Sequence, residues 1–351
     1  MTSYERVRNT LDRKPVDRVP YDISAEDIVW ERLQDYLGKS SREDVMRELG
    51  IDRWTVGPRY AGPPLKTFED GSYEIIVSGG PIMKKLETAV GFAESIVKYP
   101  WADVEEPEDL EGRWGWNGKK EWWDFSNIEE DIDRINEGGR KWITAHGDPS
   151  GLQHISMWAG DENFLMTLAA DEDLAVAMIE KHNEIRLWHA LKTLEAGKGK
   201  IHELNGGGDY GTQNGPLISR EMFCRYFKPL YKAFYKEIKD NFDVEIFFHS
   251  CGGIEPIIPD LIEVGVTILD PIQSSAAGMR EADLKKKYGD KLNFHGGIDI
   301  QSFLPYATVD EVLAKKQEMI EVLGKGGGFL LSPTHMLQPD TPIENILAIY
   351  R

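Results

Sequence analysis

Short apolar runs alternate with longer amphipathic segments from about residue 142 to the end of the chain. Segments 174–196 and 221–239 carry the helical period, with apolar residues three or four positions apart. Short runs rich in β-branched and aromatic residues and bounded by turn residues predict buried strands. There are six such runs, at 142–145, 201–204, 244–248, 266–269, 292–294 and 328–331. This alternation indicates an α/β fold with a parallel sheet and helical crossovers.

The first 140 residues follow a different pattern. They hold most of the tryptophans and many proline, glycine and acidic residues, with only short periodic pieces such as 44–49. We therefore expect residues 1–140 to form an irregular, aromatic-rich layer packed on the sheet. A length of 351 residues fits one α/β barrel. The sequence accordingly predicts a single domain, 1–351.

Polar or glycine residues follow nearly every predicted strand. In a (β/α)₈ barrel such residues line one mouth, where active sites lie. A doubly wound sheet would gather them at a crevice instead, so both architectures stay open at this point. Two helix starts are also marked, because Thr308 and Thr341 are each followed three residues later by glutamate, as in a capping box.

Charge and cysteine content exclude several classes of protein. A net charge of −19 and a pI near 4.9 oppose binding to nucleic acid or to anionic membranes. Two cysteines give no disulfide framework, and the N-terminus has no apolar signal segment. No stretch approaches a membrane span. We expect a cytoplasmic protein, and the abrupt stop of the last helical run at Tyr350 and Arg351 raises the expectation that the chain is cut short.

His249 and Cys251 are the strongest candidates for chemistry. They stand two positions apart at the end of the predicted strand 244–248, so both side chains face the same side. One zinc ion could take both as ligands if a third came from elsewhere in the fold. The alternative is a half-buried histidine beside an inert core cysteine.

Several phrases in this order resemble the uroporphyrinogen decarboxylase superfamily. They are LDRKPVDRVP at 11–20, YPWAD at 99–103, GDYGTQNGP at 208–216, HGGID at 295–299 and QPDTPIEN at 338–345. The resemblance covers essentially the whole chain. It implies a single (β/α)₈ TIM barrel carrying the aromatic-rich N-terminal segment, and it leaves the individual activity open.

Two branches of that superfamily carry different sequence motifs for their substrates and ligands. True decarboxylases carry an arginine-rich N-terminal segment that grips the acids of their substrate, whereas segment 19–27 here is acidic, which would oppose a polycarboxylate. The zinc methyltransferases of corrinoid systems carry His-x-Cys and a distant cysteine. His249 and Cys251 match the first two ligands, and His335 takes the place of the third. The resemblance thus implies Zn²⁺ held by these three residues.

The implied reaction moves a methyl group from a small methylated compound, such as a methyl ether or a methylamine, to the cobalt of a separate corrinoid protein. Zinc would activate the leaving heteroatom. Glu203 or Asp209 would serve as a displaceable fourth ligand, as an acid, or as the orienting partner of a ligand histidine. His146, Gln213 and Asp299 would line the substrate pocket. An aromatic donor would stack on a wall for which the candidates, otherwise core residues, are Trp54, Trp122, Trp123 and Trp158.

Other functions remain open at the level of sequence. A metal-free decarboxylase or lyase of a small carboxylic acid would keep the barrel and its carboxylates. Methyl transfer from a methylated corrinoid protein to a thiol or a folate is a second alternative, and a non-catalytic corrinoid-binding module is a third. The methyl donor is undetermined, and so is whether the protein is a homodimer.

Overall fold

The chain forms an α/β fold around one parallel sheet, as a computed structural model of residues 1–88 and 91–351 shows. Each strand pairs with the next one along the chain, and all pairs are parallel. The crossovers between the strands are mainly helical. In order across the sheet, the seven strands are Arg53–Val56, Trp142–His146, Glu203–Gly207, Glu245–His249, Ile268–Ile272, Asn293–Ile298 and Phe329–Pro333.

The first strand, Arg53–Val56, lies in the region for which we predicted only an irregular layer. It pairs with the second strand in register, Arg53 opposite Trp142. The prediction that the sheet begins at residue 142 is therefore wrong. The strand escapes sequence analysis because it has only four residues and two of them, Arg53 and Thr55, are polar. A run this short shows no clear period.

Seven strands, and not eight, form the sheet of the described residues. Where an eighth strand would lie, the segment 20–22 touches both edges of the sheet. The amide of Leu331 donates to the carbonyl of Pro20 at 2.9 Å, and the amide of Asp52 donates to the carbonyl of Tyr21, also at 2.9 Å. Tyr21 forms a single parallel bridge with Leu331 and no longer ladder. The sheet is thus curled until one short bridging segment spans its two edges.

Helices cover the outside of the sheet. The predicted helix 174–196 is broken at Glu184 and Ile185, and the predicted helix 221–239 contains a π-helical turn at Phe223–Phe227. The α-helices are Ser3–Leu11, Asp27–Leu37, Arg42–Glu48, Ile128–Ile135, Leu152–Ala159, Asp161–Ala170, Glu172–Asn183, Arg186–Ala196, Arg220–Met222, Lys228–Asn241, Ile258–Val264, Glu281–Tyr288, Val309–Val322 and Ile343–Tyr350. None of the helices in the described residues is long and apolar enough to cross a membrane.

The two predicted helix starts have different outcomes. Thr308 caps Val309–Val322 with a complete capping box, as predicted. The prediction for Thr341 is wrong, because Pro342 occupies the capping position of Ile343–Tyr350 and no side chain caps that helix. Proline supplies the extended backbone needed before a helix but offers no side-chain acceptor.

Three small antiparallel pairings lie outside the main sheet. Tyr73–Glu74, Ile82–Thr88 and Gly91–Lys98 form one, Arg59–Tyr60 pairs with Trp123–Asp124, and Gly211–Thr212 pairs with Gly215–Pro216. One large apolar cluster joins the N-terminal residues to the parallel sheet, since it includes Trp30 and Trp101 as well as Phe248 and Phe294. The N-terminal residues therefore share a core with the sheet.

Candidate metal centre and adjoining cavities

Three predicted metal ligands lie together at the carboxyl edge of the sheet. His249 ends the fourth strand, Cys251 follows two residues later, and His335 follows the end of the seventh strand. One ligand atom from each lies within 4.8 Å of the others. The Sγ of Cys251 is 3.5 Å from the Nε2 of His249. The fold thus brings His335, which is about 85 positions away in the sequence, next to His249 and Cys251.

This spacing suits zinc. Donor atoms about 2.0 to 2.3 Å from one tetrahedral zinc lie roughly 3.3 to 3.8 Å apart, which the His249–Cys251 pair already matches. His335 is exposed at the mouth, with its ring centroid 5.8 Å from that of His249. A small movement of this exposed side chain would complete a three-ligand site with an open fourth position.

The third strand approaches the centre closely because it is glycine there. Gly207 has φ +136°, and a Cβ atom at this position would lie 2.0 Å from the carbonyl oxygen of His249. The next amide, of Gly208, donates to that same oxygen at 2.8 Å. The glycine run 206–208 therefore holds the backbone of His249 and leads directly to Asp209.

Asp209 lies beside His249 and Cys251, two of the three candidate ligands. Its Oδ1 is 3.6 Å from the Nε2 of His249 and accepts a hydrogen bond of 2.8 Å from the amide of Cys251. About a quarter of the side chain is exposed, 25%. The structure thus places this carboxylate where either a fourth ligand or a proton donor to a bound group could stand.

Asp270, in the fifth strand, joins two histidines. Its Oδ2 lies 2.5 Å from the Nδ1 of His249, and its Oδ1 lies 2.5 Å from the Nδ1 of His295. Burial opposes the charge on His249, but the hydrogen bonds to Asp270 and Cys251 hold its pKa well above the ordinary value. A carboxylate behind a ligand histidine fixes which nitrogen is free for the metal. The sequence places Asp270 at a strand end, yet we predicted no role for it.

Glu203 begins its strand, whereas the predicted strand 201–204 placed it near the end, and that prediction is wrong. The third strand begins at Glu203 and runs to Gly207, so this side chain lies deep in the barrel and away from the mouth. It is completely buried, forms a close ion pair with Arg53, and accepts a hydrogen bond of 2.8 Å from the indole of Trp142. The predicted strand was set about two residues early because apolar residues precede it. Glu203 is not among the residues that surround the candidate metal centre.

A buried polar chain continues inward from Asp270. His295 contacts Asp22 at 3.0 Å through its Nε2, and Asp22 forms a close ion pair with Arg53. Although burial opposes ionisation, Arg53 and His295 lower the pKa of Asp22. Asp270 and Asp22 together raise the pKa of His295 against the effect of burial. Alternating charges therefore satisfy one another in the barrel interior.

A cavity of about 730 Å³, which we call the inner cavity, opens from the candidate metal centre. His249 and Asp270 stand at one side, and Trp116 and Trp123 of the N-terminal region stand at another. The predicted pocket residue His146 lines it, and so does His154. Burial lowers the pKa of both histidines, that of His154 to about 4, so both are neutral near pH 7. The cavity is therefore part aromatic and part polar, a combination suited to a small organic ligand.

A second cavity of about 450 Å³, the outer pocket, is lined by Cys251 and shares His335 with the inner cavity. The predicted pocket residue Gln213 lines this pocket and not the inner cavity. Asp299 lines neither, because its carboxylate accepts hydrogen bonds from the amides of Gln301 and Ser302, at 2.6 and 2.8 Å. Asp299 thus shapes the loop after the sixth strand.

The predicted aromatic wall is mostly core. Trp158 is fully buried, and its indole donates to the carbonyl of Trp114 at 3.1 Å. Trp54 and Trp122 are also buried and line no part of the inner cavity, whereas Trp123 does. Trp116 was not predicted, and nothing in its local sequence separates it from the other tryptophans.

The chain matches one protein family and is similar to several solved structures. The uroporphyrinogen decarboxylase (URO-D) family matches residues 156–351, more than half of the chain. No curated protein sequence matches this chain. Among solved structures, a methyltransferase from Methanosarcina mazei is similar over 99% of this chain and 97% of its own, with 20% identity and a TM-score of 0.68.

Weaker similarities extend to other enzymes. A D-psicose 3-epimerase from Clostridium cellulolyticum H10 matches 64% of this chain and 75% of its own, at 14% identity and a TM-score of 0.38. A GH53 catalytic domain from Ignisphaera aggregans matches 96% of each chain, at 13% identity and a TM-score of 0.40. Scores this low carry no argument. The family match and the shared fold lead to one conclusion: this chain belongs to the uroporphyrinogen decarboxylase family.

Proposed function

We propose that this protein is a zinc-dependent methyltransferase that moves a methyl group from a small methylated compound to the cobalt of a separate corrinoid protein. The observation that carries the proposal is the grouping of His249, Cys251 and His335 within 4.8 Å, with both histidines lining the inner cavity. Two nitrogens and one thiolate form an ordinary zinc ligand set with a free fourth position.

Zinc, when bound, would supply a Lewis acid at the heteroatom that must leave with the bonding electron pair. Asp270 accepts a hydrogen bond from the Nδ1 of His249, so Nε2 would be the nitrogen that gives up its proton and binds the metal. The Oδ1 of Asp209 lies 3.6 Å from the Nε2 of His249. Asp209 would act either as a displaceable metal ligand or as the acid that protonates the departing oxygen or nitrogen. The bond from the methyl carbon to the heteroatom breaks, and a carbon–cobalt bond forms with the electron pair of reduced cobalt.

The inner cavity suits the methyl donor. Its volume of about 730 Å³ exceeds the needs of methanol or a simple methylamine and fits a ring-sized molecule. Trp116 and Trp123 offer flat apolar faces, and the neutral His146 and His154 offer hydrogen bonds without a net charge. An aromatic methyl ether is therefore the donor we favour.

The similar structure from Methanosarcina mazei is called a methyltransferase, and the fold shared with it supports the same class of reaction here. The absence of an arginine-rich segment at 19–27 supports the choice of a methyltransferase over a porphyrinogen decarboxylase. In place of free guanidinium groups, the inner cavity has Arg53 and Arg186, which are both paired with buried carboxylates.

Zinc content tests the proposal directly. We expect about one zinc per chain in metal-replete protein and its loss in Cys251→Ser and His335→Ala. Cys224→Ser is the matched control, because Cys224 is the other free cysteine and lies outside the three-residue group. Zinc bound equally in all four proteins, or in none, would overturn the proposal and favour a metal-free decarboxylase or lyase.

A second experiment tests the reaction. Methyl ethers and methylamines are incubated with the zinc protein and chemically reduced cobalamin, and methylcobalamin is followed by its absorbance. We expect methylcobalamin to form only with zinc-loaded protein, and fastest with an aryl methyl ether.

A further inference from the structure

Glutamine is the most frequent residue type in the lining of the outer pocket. Four of its lining residues are glutamines and two are threonines, and Cys251 and His335 also line it. The glutamines are Gln213, Gln273, Gln301 and Gln338, and the threonines are Thr212 and Thr334. Each primary amide carries two donors and a carbonyl acceptor, so the pocket offers neutral hydrogen-bonding groups of both kinds.

Two of these glutamines are free to exchange partners. The side chains of Gln213 and Gln301 are both exposed and meet across the pocket, with the Nε2 of Gln213 3.3 Å from the Oε1 of Gln301. This is a long contact that solvent or a ligand can replace at little cost. The backbone beneath Gln213 is held, since its carbonyl accepts from the amide of Ala277 at 2.9 Å. A ligand would therefore contact a loop whose backbone is held in place and whose side-chain amides can change hydrogen-bond partners.

The charge of the pocket argues against an anionic ligand. No lysine or arginine is among its lining residues, and Asp340 adds a carboxylate at the rim. The whole chain carries a net charge of −19. An acceptor bearing a sulfonate or the glutamate tail of a folate would find no cation here, and the field of the protein would repel it.

We propose that the outer pocket binds the edge of a corrin ring through the ring's primary amide side chains. This inference rests on the proposed function and adds to it the residues that meet the acceptor. A primary amide pairs with glutamine through two hydrogen bonds, donor to acceptor in each direction. The ring would then stand beside Cys251 and His335, which line the outer pocket. The methyl donor would lie in the inner cavity, which His249 and His335 line.

The probe is cyanocobalamin, because cyanide covers the cobalt and prevents it from binding a histidine of the protein. Its dissociation constant is measured by equilibrium dialysis for wild type, Gln213→Ala, Gln301→Ala and the double variant. We expect each single variant to weaken binding about three- to tenfold, as loss of one or two hydrogen bonds does. Gln317→Ala is the matched control, since Gln317 is exposed on Val309–Val322 and does not line the pocket.

A second ligand tests the role of the amides themselves. A dicyano corrin whose amide side chains have been hydrolysed to carboxylates keeps the ring but cannot donate to glutamine, and we expect it to bind wild type weakly and to lose little further affinity in the glutamine variants. In the methyl-transfer assay, the glutamine variants should raise KM for reduced cobalamin and leave both zinc content and KM for the methyl donor unchanged.

Failure of this inference is distinguishable from failure of the proposed function. If wild type binds zinc and methylates cobalamin but the glutamine variants bind cyanocobalamin as wild type does, the outer pocket is not the corrin site. Absence of cyanocobalamin binding to wild type would overturn the inference as well, and so would displacement of the bound corrinoid by tetrahydrofolate. Absence of zinc would overturn the proposed function whatever the corrin measurements show.

Discussion

Asp270 lies 2.5 Å from the Nδ1 of His249 and thereby decides which nitrogen of that histidine faces Cys251. The other oxygen of the same carboxylate is held by His295. Both oxygens of Asp270 are therefore engaged, and the imidazole of His249 cannot rotate without losing a partly buried, charge-assisted hydrogen bond. The candidate metal centre is oriented from behind by a residue that is not one of its three candidate ligands.

Replacement of Asp270 by asparagine should weaken zinc binding. The amide is the same size but carries no charge, so it holds the His249 ring less firmly and makes it a poorer ligand. We expect zinc affinity to fall about 10- to 100-fold, as changes behind metal ligands generally do. Competition with a chromophoric chelator measures the change. Asp243→Asn, at an exposed position, should bind zinc as wild type does, and an unchanged affinity in Asp270→Asn would contradict this role.

Trp116 and Trp123 should contribute to binding of an aromatic donor. Removal of either ring in an alanine variant takes away one apolar face of the inner cavity. We expect KM for an aryl methyl ether to rise about 3- to 10-fold with zinc content unchanged, since a stacking contact contributes roughly 0.5–1.5 kcal/mol. Steady-state kinetics with an aryl and an alkyl methyl ether measure the difference.

Trp188→Ala is the control for that prediction. Trp188 packs against Phe125 and does not line the inner cavity. Equal effects on aryl and alkyl donors in the Trp116 and Trp123 variants would show that the rings act only on stability.

Arg53 should contribute strongly to the stability of the folded protein. Its guanidinium is buried between Asp22 and Glu203, two carboxylates that would be left without their cation in Arg53→Ala. Removal of one partner from a buried ion pair costs about 3–5 kcal/mol, and we expect the free energy of unfolding to fall by that amount. Urea unfolding followed by tryptophan fluorescence measures it. Arg280→Ala removes an exposed ion pair with Asp283 and should cost less than about 1 kcal/mol.

Stability should fall between pH 6.5 and pH 4 because several histidines are buried in the neutral form. Burial lowers the pKa of His189 to about 4, and burial reinforced by Arg140 and Arg8 lowers that of His202 to about 3. Below pH 6.5 the unfolded chain takes up protons at these histidines while the folded chain does not. Each such group therefore lowers the free energy of unfolding by up to about 1.4 kcal/mol per pH unit over this window.

His202→Gln tests the sign of that dependence. Glutamine can still accept the hydrogen bond of 2.9 Å that the amide of Ile143 donates to His202, but it does not titrate. The variant should show a shallower loss of stability between pH 6.5 and 5 in urea unfolding at a series of pH values. A slope equal to that of wild type would show that His202 is not buried as a neutral group.

The parallel strands could be predicted because they are continuous apolar runs. All six predicted strands overlap strands of the sheet, and Glu245–His249 and Phe329–Pro333 begin within one residue of the predicted position. The predicted strand 201–204 begins two residues too early, because Ile201 and His202 are buried beside the strand without belonging to it. Burial leaves an apolar pattern in sequence, whereas pairing with a neighbouring strand does not.

The sequence by itself determined the parallel α/β architecture and the local pair His249 and Cys251, since both depend on periods of a few residues. Only the tertiary structure decided that His335 meets this pair, that Asp270 stands behind it, and that Glu203 is turned into the barrel toward Arg53. It also decided which tryptophans border a cavity. Such relationships join strands far apart in the chain, and a linear pattern carries no record of the distances that the curled sheet imposes between them.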